Sequence, residues 1–194
     1  MRIGKLAKLP ASLEFLDFTE CSTDYSSPFP PSDDAFEHLR IARLARSSVG
    51  GGVLSSILRS ASGQLTYLDV DLSADPASDV NWALFLDTVR GGGLKELTSL
   101  RLWYLMLSDE HVDILVEHCR KLETVELSSP NITGVFVAGL LAAPESRVKR
   151  LALRDCTKVS PDTDTWAMKR GVVVERITTE MHAGSGRRVV HGRD

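Results

Sequence analysis

A six-residue pattern with apolar residues at its first, fourth and sixth positions recurs along the 194-residue chain. Four of the five steps between copies are 25 or 26 residues long, and the third step is 32. A period of this length is typical of stacked repeats, in which each copy buries its apolar residues against its neighbours. The copies begin at Leu13, Leu39, Leu65, Leu97, Leu122 and Val148.

Each copy has the spacing of a short strand followed by a helix. In the fourth copy, Leu97, Leu100 and Leu102 are spaced as in a strand with one buried side, and residues 108–119 have apolar side chains at helical spacing. A further short strand is predicted near residue 172. Repeated strand and helix units predict an α/β fold, with a curved parallel β-sheet on the concave face and helices on the convex face. The other helices are predicted at 53–61, within 75–93, at 133–143 with Thr133 as the cap, and at 160–170 with Ser160 as the cap and Pro161 at the first helical position.

The repeats extend over most of the chain, which indicates a single domain at residues 1–178. Residues 179–194 have no periodicity and are predicted to be a flexible tail. The tail is basic because it contains Arg187, Arg188 and Arg193.

The composition excludes several classes of protein. With 43% hydrophobic and 25% charged residues, the chain is typical of a globular domain. It contains no apolar run long enough to span a membrane and no apolar signal-peptide segment, so an intracellular location, in the cytoplasm or nucleus, is expected. A net charge of -3 disfavours nucleic acid as the partner. Three widely spaced cysteines favour reduced thiols over disulfides.

The positions of the cysteines refine the fold prediction. Cys21 and Cys156 come two residues after a strand, and Cys119 precedes one. This pattern, over about residues 11–177, resembles the cysteine-containing subtype of the leucine-rich repeat family. The resemblance implies a ribonuclease-inhibitor-like solenoid in which these cysteines pack in the core. Four of the six copies depart from the subtype and have Ser47, Ser73, Leu105 and Pro130 at the cysteine position.

Cysteine-containing repeats of this kind are typical of F-box proteins, the substrate receptors of cullin-based ubiquitin ligases. Residues 155–177 resemble the closing repeat of fungal F-box proteins. The resemblance implies that the partner is a protein substrate or an adaptor, with ubiquitin-ligase components contacted through an F-box. Because the first repeat begins at Leu13, the F-box has no room here. The chain is then either the repeat part of a longer protein or a relative without that module.

No motif in the sequence predicts catalysis. The glycine runs at 50–52 and 91–93 lack the lysine and hydroxyl residues of a phosphate-binding loop, which favours turns at helix boundaries. His111 and His118, even with Cys119, are too few for a zinc site. We therefore expect no enzyme activity, no metal and no cofactor.

The fifth position of successive copies alternates in charge. Its side chains should point to the concave face and form a ladder across neighbouring strands, which are about 4.8 Å apart. Either the ladder neutralises itself and fixes the strand register, or a partner competes for its charges and places acidic groups against the arginines. The residues are Asp17, Arg43, Asp69, Arg101, Glu126 and Ala152.

Aromatic side chains beside this ladder favour recognition of a partner, since aromatic residues and arginine dominate interface hot spots. For Trp103, the alternative is packing under the enlarged third copy. The candidate partner-binding residues are Phe15, Arg40, Arg43, Tyr67, Asp69, Arg101, Trp103, Tyr104 and Glu126.

Two other functions are compatible with such repeats. The first is an adaptor or scaffold with no link to ubiquitin. The second is a GTPase activator like the repeat proteins that act on Ran, but those end in an acidic tail, and the tail of this chain is basic.

Overall fold

A computed structural model describes residues 12–21, 36–45, 50–71, 78–103, 106–180 and 189–190. Seven parallel strands form one sheet, and their spatial order is their order along the chain. The predicted α/β class and parallel sheet are confirmed. The strands are β1 (Phe15–Asp17), β2 (Ile41–Leu44), β3 (Tyr67–Asp71), β4 (Ser99–Trp103), β5 (Thr124–Ser128), β6 (Arg150–Arg154) and β7 (Val173–Ile177).

Helices alternate with the strands from β2 onward. Each described helix contacts the next one along the chain, so the helices form a layer of their own. A 3₁₀ turn (Asp109–His111) precedes the third helix. The helices are α1 (Gly50–Ser60), α2 (Ser78–Arg90), α3 (Val112–His118), α4 (Gly134–Ala142) and α5 (Pro161–Met168).

The apolar pattern accounts for the core between sheet and helices. In every copy the fourth and sixth residues of the pattern are buried. In the centre of the sheet, Leu100 of β4 is in register with Leu68 of β3 and Val125 of β5, and all three are fully buried. Their alternation with polar residues places the fifth residues on the opposite side of the sheet. Each of the first six strands begins at the third residue of its copy of the pattern.

Several predicted helix ends are confirmed. Thr133 caps α4, with its hydroxyl accepting a hydrogen bond from the Val135 amide at 3.1 Å. Pro161 occupies the first turn of α5, as predicted. Ser160 precedes α5, but its side chain makes no cap bond and instead lies 3.2 Å from the Thr163 hydroxyl. The glycine run at 50–52 was predicted to form a turn at the boundary of a helix. Because α1 begins at Gly50, these glycines lie inside its first turn.

The last strand differs from the others on its buried side. Arg176 of β7 is in register with the buried Leu153. Its guanidinium forms an ion pair with Asp164 at 2.7 Å and donates to the carbonyls of Cys156 and Val159 at 3.2 and 2.8 Å. A charged group therefore satisfies backbone acceptors at this end of the core.

Most of the predicted tail, and residues 72–77 in the enlarged third copy, lie outside the described residues. Within the tail, β8 (Thr179–Glu180) pairs in antiparallel fashion with β9 (Val189–Val190). The helix predicted for the enlarged copy, α2, is the longest described, with 13 residues. None of the described helices combines the length and apolar character that a membrane span requires.

Candidate protein-binding surface

The side of the sheet opposite the helices presents the third, fifth and seventh residues of each copy, and we call it the polar face. The predicted ladder lies there in register: Asp17 pairs with Arg43 and Asp69 with Arg101. Further along the sheet, Arg101 pairs with Glu126. Adjacent strands thus bring acids and bases side by side, as the alternating sequence predicts.

Three contacts join the members of this ladder. The guanidinium of Arg43 lies 3.4 Å from the carboxylate of Asp17. Arg101 lies 3.7 Å from Asp69 on one side and 3.2 Å from Glu126 on the other. One arginine of β4 therefore bridges two acids that belong to different repeats.

Arg154 extends the ladder and was not predicted. It is the seventh residue of the sixth copy, where the fifth is Ala152. Its guanidinium reaches back to Glu126 at 3.4 Å and lies 4.0 Å from the ring centroid of Trp103. The available signal was the seventh position itself, because residues two apart on a strand share a face. With Arg154 included, arginines stand on β2, β4 and β6.

The aromatic rings lie between the arginines. The guanidinium carbon of Arg43 is 5.4 Å from the ring centroids of both Phe15 and Tyr67, and that of Arg101 is 5.8 Å from the Tyr67 centroid. These distances fit cation–π contacts. We call Phe15, Arg43, Tyr67 and Arg101 the arginine–aromatic row. The predicted aromatic and charged residues of the first four strands are therefore close together.

Burial separates the acids from the arginines in the middle of the face. The side chains of Asp69 and Glu126 are 7% and 10% exposed, while those of Arg43 and Arg101 are 43% and 40% exposed. Burial raises the pKa of Asp69 to about 6, and the attraction of Arg101 only partly offsets it. Burial and the neighbouring Asp69 charge also raise the pKa of the Tyr67 phenol.

The pKa of Asp17, at the end of the ladder, is shifted in the direction opposite to that of Asp69. Its side chain is 34% exposed. Partial burial raises its pKa, but hydrogen bonds from Thr19 and Arg43 outweigh that effect, and the pKa is lowered.

Unpaired polar atoms concentrate on the polar face. Among the described residues, four buried side-chain nitrogen or oxygen atoms have no hydrogen-bond partner, and all belong to β3, β4 and β6. Such atoms are uncommon in folded proteins, where ordered water, an ion or a bound group usually satisfies them. The Nε of Arg101 is close to Glu126 but is not aligned for a hydrogen bond. The atoms are Asp69 Oδ1, Arg101 Nε, Trp103 Nε1 and Arg154 Nε.

The remaining candidates are placed less centrally. Arg40 is exposed at the second position of its copy, directly before β2. Tyr104 lies outside the described residues, as do residues 72–77 of the enlarged third copy, under which Trp103 was alternatively predicted to pack. Asp69, Trp103 and Glu126, by contrast, lie within the network around Arg101 and Arg154.

The helix side provides packing and capping. Cys119 and Cys156 are buried, and burial raises the pKa of Cys119 to about 12. His111 packs edge-on against Trp82 at 5.3 Å. The carboxylate of Asp109 accepts hydrogen bonds from the amide and hydroxyl of Thr133 at 2.8 and 2.6 Å, which joins neighbouring repeats.

In the part of the chain that the structure describes, no group of three His, Cys, Asp or Glu side chains could hold a metal ion.

No protein-family model matches the chain. Comparison with curated proteins also finds no match. The function is therefore inferred from the residues of the polar face and from the repeat pattern.

Proposed function

We propose that the chain is a leucine-rich repeat solenoid that binds a protein partner on its polar face, as the substrate-recognition repeats of an F-box-type ubiquitin ligase receptor. On this proposal the polar face is the concave face. The chain holds the partner and performs no chemistry on it.

The solenoid is supported by the regularity of the stack. Strand order follows chain order, and each strand is in register with the equivalent residues of the next copy. Cys156 occupies the position typical of the cysteine-containing subtype and is buried there, with its thiol donating to the Arg154 carbonyl at 3.2 Å.

The observation that best supports binding is the arginine–aromatic row on the polar face, where Arg43 and Arg101 are each about two-fifths exposed and lie against the rings of Phe15 and Tyr67. Arginine and aromatic side chains contribute most to interface energies. Support for the link to ubiquitin is of another kind, because it comes from the resemblance of residues 155–177 to a closing F-box repeat.

Affinity capture of the full-length protein from its native organism tests both parts of the proposal. The test variant combines Arg43→Gln with Arg101→Gln. The control combines Arg90→Gln with Arg120→Gln, two helix-side arginines in exposed ion pairs with Asp87 and Glu145. Mass spectrometry should find an adaptor, a cullin and a further partner with the wild type and the control. The test variant should lose the further partner alone.

Two results would contradict the proposal. If the folded test variant captures every partner that the wild type captures, binding does not use the polar face. If the further partner is captured without adaptor or cullin, the protein is a scaffold with no ubiquitin link.

A further inference from the structure

The outer layer of the polar face has one sign of charge over β2 to β4. Of the third, fifth and seventh residues of these copies, the charged ones are Arg43, Asp69, Asp71 and Arg101, and Arg40 comes directly before β2. Asp69 and Asp71 are buried, whereas Arg40 is exposed and the other two arginines are about two-fifths exposed. A partner approaching these strands therefore meets guanidinium groups above two buried carboxylates.

Acidic residues bound this region on both sides. Asp17 and Glu14 lie toward β1, and Glu123, which pairs with Lys149 at 2.9 Å, lies toward β5. The charges of the whole face nearly cancel, so the attraction of an acidic group is local to β2–β4. A local patch favours a segment of a few residues over a large acidic surface.

The two arginines retain the capacity to bind a carboxylate. A guanidinium has five N–H donors, and the described ion pair of Arg43 with Asp17 uses one nitrogen, at 3.4 Å. Arg101 contacts Asp69 through Nη1 at 3.7 Å and Glu126 through Nε at 3.2 Å, but the first contact is longer than a hydrogen bond and the second is not aligned as one. Contacts with Tyr67 on both sides limit the positions of the two guanidinium groups. Less side-chain entropy is lost on binding when the groups are already positioned.

We propose that β2–β4 bind an acidic, extended peptide segment of a protein partner, with one carboxylate on Arg43 and another on Arg101, on either side of Tyr67. The inference deepens the proposed function and rests on it. Strands two apart in a sheet are separated by about 9.6 Å. Three residues of a polyproline II chain span about 9.3 Å and return to the same side. The segment therefore has acidic residues three apart and crosses the strands.

Fluorescence anisotropy with labelled peptides tests this inference on the full chain. The probe is four copies of Glu-Pro-Ser, which favours polyproline II and has a glutamate at every third residue. Three further peptides have glutamine or lysine in place of glutamate, or the same composition with the glutamates contiguous. We expect the probe to bind about tenfold more tightly than the glutamine peptide, and the difference to shrink as salt is raised.

The variants assign the binding to the two arginines. Arg43→Gln with Arg101→Gln should lose about tenfold in affinity for the probe, while Arg101→Lys, which keeps charge without the planar fork, should lose less. The helix-side pair Arg90→Gln with Arg120→Gln should bind as the wild type does. Thermal melting of each variant confirms that it is folded.

Several results would overturn the inference. They are equal affinity for the glutamate and glutamine peptides, tighter binding of the lysine peptide, unchanged binding by the folded test variant, or equal affinity for the contiguous isomer. If the capture experiment still shows loss of a native partner from the same variant, the polar face binds a partner of other chemistry. In that case the proposed function stands and only the acidic segment is wrong.

Discussion

The first two strands and the inner strands use the same residue types at the same repeat position, yet their ion pairs differ in environment. In the pair between Asp17 and Arg43, both side chains are at least one-third exposed. In the inner network, Asp69, Glu126 and Arg154 are each about one-tenth exposed, and only Arg101, at 40%, is about as exposed as the outer arginine. The repeat position sets which groups meet, and the neighbouring strands and rings set how much water surrounds them.

Truncation of the core beneath these pairs should have the largest effect. Leu100 of β4 has a strand neighbour on each side and is fully buried. Leu100→Ala should lower the free energy of unfolding by about 2–5 kcal/mol, because it leaves a cavity. The matched change Leu16→Ala, in the short strand β1, should cost less. Urea unfolding measures the loss of unfolding free energy in each variant. Equal losses would show that β1 and β4 are equally well packed.

The inner acid Asp69 should make stability depend on pH. Its pKa is 3.8 in the unfolded chain and about 6 in the folded protein. Between these values the folded protein binds more protons, so stability should fall as pH rises from about 4 to 6, by up to about 3 kcal/mol. In Asp69→Asn this slope should disappear. Urea unfolding of both proteins at several pH values between about 4 and 6 tests this prediction. If Asp69→Asn keeps the slope, another group is responsible for the pH dependence.

The outer acid Asp17 should show the opposite sign. Because its folded pKa is lowered, it contributes stability at neutral pH that is lost as pH falls through the folded pKa. Asp17→Asn should therefore weaken the loss of stability below about pH 4 and leave the region near pH 6 unchanged.

Removal of charge at neutral pH compares the two ion-pair environments directly. Glu126→Gln leaves Arg101 and the mostly buried Arg154 without their shared carboxylate, and should cost about 1–3 kcal/mol. Asp17→Asn removes an exposed pair and should cost about 0–1 kcal/mol. Thermal melting in low and high salt measures the difference. Similar losses for the two variants would contradict the effect assigned to burial.

Much of the fold was predictable from the sequence because burial follows the repeat. The fourth and sixth residues of each copy are apolar and buried, so strand positions, register and the row of fifth residues all follow from one pattern. Helix ends were less predictable, since Ser160 occupies the cap position without making the bond. Such bonds depend on side-chain rotation, which the residue type alone does not determine.

The residues that share the polar face were largely predictable, but the burial of each side chain was not. Arg154 was missed because its side chain is long enough to reach Glu126 from two residues further along β6. The burial of Asp69 was also missed, because it depends on the position of side chains from neighbouring repeats. The hydrogen bonds of Asp109 to Thr133 were missed for the same reason, since they join two copies 24 residues apart.

The presence of arginine on every second strand limits how such a gene can change in length. Repeat genes gain and lose units by unequal recombination. Loss of the unit that contains Arg101 would place Asp69 directly beside Glu126, two acids in neighbouring strands of a mostly buried row. Loss of that unit together with the preceding one would instead bring Arg43 beside Glu126. Viable relatives are therefore expected to differ in this region by even numbers of repeats.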